Sequence, residues 1–146
     1  MTTKNSYLIQ SFFNTLVRDF KAYQKLEVLL KQQKLLYLSF DAEKLEQNLT
    51  LQQSLLSQLQ QHAQKRSQIM VSLQLSADKT GIERFFSALP SAAGKKVRCQ
   101  WQHLENMVKR CQTLNQENGQ TSANFHELMV SVTSAEQHTY QEHLLG

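Results

Sequence analysis

The side chains best suited to covalent or metal chemistry in this 146-residue sequence are five histidines and two cysteines, and their spacing decides what each could do. His62 stands three residues before Lys65, so on a helix the two share a face, and the ammonium would neutralise a phosphoryl group carried by the imidazole. That is the layout of a histidine phosphotransfer site. Against it, the residue after Lys65 is the bulky Arg66 and the surrounding run is glutamine-rich, which predicts an ordinary solvent-facing histidine. His138, Glu142 and His143 form the other cluster, but an i to i+5 step puts the two imidazoles on different helix faces, so no metal site is expected. The chain has no glycine-rich phosphate loop, no paired cysteines at metal spacing and no nucleophile with a base in reach. Neither catalysis nor a cofactor is expected. Cys99 and Cys111 are separated by about 18 Å if both lie on one helix, too far for a disulfide. Cys111 should be a small buried hydrophobe, and the pair fits a reducing cytoplasm.

The elements that must position these groups are helical. One Pro and four Gly against abundant Leu, Gln, Lys and Glu predict an all-α chain with few breaks, long enough for a single domain over residues 1–146. Sixteen Lys and Arg against twelve Asp and Glu give a formal charge of +4, yet the cations are dispersed, with Lys95-Lys96-Val97-Arg98 the only dense run. A nucleic-acid partner is therefore not expected. Neither a secretion signal nor an apolar run of about eighteen residues is present, so membrane insertion is not expected either.

Helix one is predicted over about residues 5–37, carried by Ile9, Phe13, Leu16, Phe20, Tyr23, Leu26 and Leu30. Asp41 should cap helix two, over about 42–73, whose four-three lattice runs Leu45, Leu49, Gln52, Leu56, Leu59, Ala63, Arg66, Met70, Leu73. A tight turn between two long amphipathic helices predicts an antiparallel, coiled-coil-like hairpin. Thr80-Gly81-Ile82-Glu83 reads as a capping box for a short helix over about 81–89, ended by Pro90, with Phe85 and Phe86 plugging one end of the hairpin. Helix three is predicted over about 95–133, packed on the hairpin, and residues 134–146 form a mobile tail.

Helix three carries an apolar seam with an unusual middle: Val97, Trp101, Leu104, Val108, Cys111, Asn115, Asn118, Ser122, Phe125, Met129 and Val132. Gly119, costly by about 1 kcal/mol in a helix interior, implies a bend or a close neighbour. A second stripe through Leu104, Met107, Cys111, Leu114, Phe125, Leu128 and Val132 widens the apolar face beyond one groove's width. Such a face suits either a three-helix core or a partner's amphipathic helix. A coiled-coil adaptor or homodimer closing on its own surplus apolar surface is the alternative.

The run Trp101-Gln102-His103-Leu104 to Cys111-Gln112-Thr113-Leu114-Asn115-Gln116-Glu117-Asn118-Gly119, after a Leu-rich hairpin turning at Asp41-Ala42-Glu43-Lys44-Leu45, a Lys65-Arg66 run and Leu89-Pro90, resembles the FlgN family of flagellar export chaperones. The resemblance spans nearly the full chain. It implies a non-enzymatic cytoplasmic protein that binds the C-terminal segments of hook-filament junction (hook-associated) proteins and docks on the cytoplasmic domain of the flagellar export gate. The cargo surface it implies is Val108, Cys111, Leu114, Asn115, Asn118, Gly119, Phe125, Leu128, Met129 and Val132, and Tyr140 would be the gate contact. Where many family members have Gly before the Asp of the hairpin turn, this chain has Phe40, and Tyr140 is followed by Gln141 rather than closely by Gly.

Overall fold

The computed structural model describes the backbone of residues 3–145 and the side chains of residues 4–124. Its elements are four helices: α1 (Thr3–Ser39), α2 (Ala42–Ser72), α3 (Lys79–Ser87) and α4 (Ser91–Leu145). The all-α fold, the long hairpin, the short helix and the long final helix are as the sequence predicts.

α1 is the central helix. α2 lies antiparallel to it, since Asn48 reaches back to Leu29 while Arg66 reaches Thr15. α4 lies parallel to it: Cys111 meets the Tyr23 carbonyl and Asn118 the Leu30 carbonyl, both at an offset of 88 residues. α2 and α4 each pack along α1 and scarcely on each other, which leaves a groove between them.

Local chemistry sets the helix ends. Asp41 caps α2 by accepting from the Lys44 amide at 3.1 Å, as expected. Phe40 before it lies in the left-handed region at φ 56°. α2 ends in a Schellman arrangement: Gln74, at φ 60°, donates to the Val71 carbonyl while Leu75 donates to Met70. The cap of α3 departs from the capping box. Asp78 accepts from the Gly81 amide at 2.8 Å and from the Ser76 hydroxyl, so the helix starts two residues before the predicted position and Thr80 falls inside its first turn. A Cβ on the buried Gly81 would stand 1.6 Å from the Ser76 carbonyl oxygen, so only Gly fits this approach. α4 begins at Ser91 because the Pro90 carbonyl receives the Gly94 amide. Its helical backbone is continuous to Leu145, where the fading periodicity suggested a tail from 134.

Four layers follow one another along α1. At the first, α3 closes the open end of the hairpin, with Phe85 and Phe86 buried against Phe12, Leu16, Ile69, Met70 and Val97. Phe12 stacks on Phe85 at 5.0 Å and on Trp101 at 6.0 Å. Asp19, His62, Arg66 and Thr15 make the second layer, which is charged. The third is aliphatic, built from Ala22, Leu26, Leu30, Leu59 and Cys111, with Leu55 and Leu114 packed on its edge. The fourth is an amide layer formed by Gln33, Asn48, Gln52 and Asn118.

Candidate docking surface

One amide from the polar middle of the α4 seam, Asn118, faces inward into the protein's own core. The Asn118 side chain, 2 % exposed, donates to the Leu30 carbonyl at 2.8 Å and to Gln33 Oε1 at 3.2 Å. Gln33 Oε1 also receives Gln52 at 2.8 Å, and Gln52 reaches Asn48, which in turn donates to the Leu29 carbonyl. One amide chain therefore joins α2, α1 and α4. Among the described residues no buried side-chain nitrogen or oxygen lacks a partner, so the layer is satisfied and specifies register. Asn118, a cargo residue by resemblance, thus makes an interhelix contact here. Cys111, also in that set, is buried on the α1 side as expected of a small hydrophobe, with its sulfur 3.8 Å from the Tyr23 carbonyl. Burial foremost, with the nearby Glu27 charge adding and Arg110 opposing, pushes its thiol above the ordinary range. Burial and then the Asp19 charge raise the neighbouring Tyr23 phenol in the same way, while Arg66 opposes.

The remaining cargo candidates divide. Val108 and Leu114 are half-buried at the edges of the seam, while Asn115 and Gly119 are exposed. A Cβ at Gly119 would meet nothing within 4 Å, so no neighbour within the described chain accounts for this glycine. Phe125, Leu128, Met129, Val132 and Tyr140 lie outside the residues whose side chains are described, as do His138, Glu142 and His143. Up to residue 124 the large apolar side chains of α4 are turned inward or half-buried; the large exposed hydrophobics are on α1 and α2 and in the turn between them.

On α2, Leu49 and Leu56 are exposed, 42 % and 46 %, where the predicted lattice buried them. The inward positions are taken by Asn48, Gln52, His62 and Arg66, because the polar layers need them there. His62 is consequently not solvent-facing. Its Nδ1 lies 2.5 Å from Asp19 Oδ1, and Arg66 holds the other carboxylate oxygen at 2.6 Å while standing 6.0 Å over the Trp101 ring. A phosphoryl acceptor needs an open ring nitrogen and a free ammonium beside it; this imidazole is engaged in an ion-pair layer.

The register of 88 residues has a consequence at the far end. Residue 127 of α4 stands level with Ser39, the last residue of α1, so positions 128–145 have no α1 residue opposite them. That stretch is about 27 Å of helix. Among the described residues no helix is long and apolar enough to cross a membrane, and no His, Cys, Asp and Glu group is arranged to hold a metal.

A sequence model of the FlgN protein family matches residues 1–138. The fold matches a solved structure from Pseudomonas aeruginosa described as a flagella synthesis protein, FlgN, with a TM-score of 0.68 at 23 % identity, covering 75 % of this chain and 84 % of that one. At that identity the likeness shows the fold alone. No curated protein matches the sequence.

Proposed function

This chain belongs to the FlgN family, and from that membership we propose that it is an export chaperone. It binds the C-terminal segments of hook-filament junction proteins in the cytoplasm, keeps them from assembling early, and delivers them to the cytoplasmic domain of the flagellar export gate. It acts by binding and not by catalysis.

The observation that supports this reading is the part of α4 with no α1 residue opposite it. Leu128, Met129 and Val132 fall in that stretch and Phe125 just before it. Apolar residues at helical spacing on a stretch with no α1 residue opposite it suit a cargo helix. Val108, Leu114, Asn115 and Gly119 extend the surface along the exposed side of α4. Cys111 and Asn118 leave the set because α1 occupies them. Tyr140, in the same stretch, is retained as the gate contact.

Leu128→Asp with Val132→Asp should abolish co-purification with the junction proteins while leaving helicity and the melting temperature unchanged. Undiminished cargo binding by that variant would refute the surface. A stable dimer whose mass by light scattering ignores added junction protein would instead favour a self-associating adaptor.

A further inference from the structure

The outward face of α1 combines two features that point to a partner. Val17, Phe20, Val28, Leu35 and Leu38 are 52, 37, 55, 66 and 65 % exposed. At 100° per residue they fall within an arc of about 80°, opposite the buried line through Leu26 and Leu30. The exposed charges of α1 are all of one sign. Lys4, Arg18, Lys21, Lys25, Lys31 and Lys34 are exposed, whereas Asp19 is buried in the ion-pair layer and Glu27 is answered by both Lys31 and Arg110. Beside the stripe, Leu16, Val17, Phe20 and Lys21 of α1 and Gln100 and His103 of α4 line a depression of about 330 Å³.

We propose that this face docks an amphipathic helix of a protein partner whose apolar stripe is bordered by acidic side chains, with one apolar side chain seated in the depression between α1 and α4. Charge complementarity selects that occupant. A second copy would oppose lysines to lysines, with no free carboxylate on α1 to answer them. A lipid surface favours a continuous apolar ridge, and here the stripe is interrupted by Gln24 and Lys31 and borders a concavity. The surface is distinct from the far stretch of α4, so it stands or falls independently of the cargo reading.

The test uses the full chain and two synthetic helical peptides with one leucine heptad pattern, one flanked by Glu and the other by Lys, with binding followed by fluorescence anisotropy. The Glu-flanked peptide should bind about tenfold tighter or more, weakening as salt rises. Lys21→Glu with Lys31→Glu should invert the preference. Phe20→Ser with Val28→Ser should lose both peptides, and circular dichroism should show each variant folded. Equal binding of the two peptides, or binding indifferent to both variants, would overturn the proposal. So would sedimentation with phosphatidylglycerol vesicles that the same variants abolish, since that assigns the face to a membrane.

Discussion

The Asp19 carboxylate and the His62 imidazole meet at 2.5 Å between α1 and α2, and Asp19 is fully out of solvent. Arg66 from the same turn of α2 takes the second carboxylate oxygen and also holds Thr15, while its guanidinium faces Trp101 of α4. Three helices thus share one buried charge. Removing a single partner from such a layer leaves the others uncompensated, so Asp19→Ala should cost about 3–5 kcal/mol in urea unfolding. Adding Arg66→Met should recover part of that loss. Additive losses in the double variant would show that the ion pair does not couple the two positions.

Asn118 tests the reassignment of the seam's polar middle. Asn118→Ala removes its bonds to the Leu30 carbonyl, which the α1 helix ladder already serves, and to Gln33 Oε1, which Gln52 still serves, a loss of about 0.5–1.5 kcal/mol per hydrogen bond. Cargo affinity measured well below the unfolding temperature should stay at the wild-type value. A large drop in affinity with little change in stability would return Asn118 to the cargo surface.

Gly119, one position on, should behave in the opposite way. The added methyl meets open space and the helix is unbroken at this position, so Gly119→Ala should stabilise the chain by about 1 kcal/mol, or roughly 2–4 °C in melting temperature. If the glycine serves a partner's close approach, the same variant weakens junction-protein binding. Stability and binding measured together separate the two.

What the sequence made legible was the part of the fold written in apolar period. The hairpin, the Asp41 cap and the paired phenylalanines at its open end were all readable from Leu and Phe spacing. What it concealed was the polar half of the core. Asn48, Gln52, His62 and Arg66 occupy inward positions of α2, so the leucine lattice through Leu49 and Leu56 is turned outward. A hydrophobic pattern cannot distinguish a buried amide with three partners from a solvated one, because satisfaction depends on residues 19 to 88 positions away. The burial of Asn118 on α4 is hidden for the same reason. Only the offset of α4 on α1, a tertiary fact, shows which of its residues the hairpin can cover.

Asp78 gives the chain an acid-sensitive helix cap. The Gly81 amide foremost, then the Ser76 hydroxyl, hold its carboxyl below the ordinary 3.8. A depressed carboxyl contributes stability that is present above its unfolded value and disappears as pH falls through the lower folded one. Asp78→Asn keeps a cap acceptor without the charge. Wild type should therefore melt higher than Asp78→Asn above about pH 5, and the gap should close as the pH is taken below 3.8. A gap unchanged across that range would show that the carboxylate charge is not what the cap uses.

Phe40, in the turn before Asp41, has a φ of 56°, a backbone conformation that suits glycine. A side chain in the left-handed region carries a backbone penalty that glycine escapes, about 1 kcal/mol. The ring is 63 % exposed, so truncating it removes little buried area, and that loss is common to Phe40→Ala and Phe40→Gly. The difference between those two variants isolates the backbone. Phe40→Gly should be the more stable by about 1 kcal/mol, or roughly 2–4 °C in melting temperature, despite the greater freedom glycine has when unfolded. Equal melting of the two would mean that the turn relaxes to a right-handed conformation once the ring is gone, and that the strain belongs to phenylalanine at this site and not to the turn.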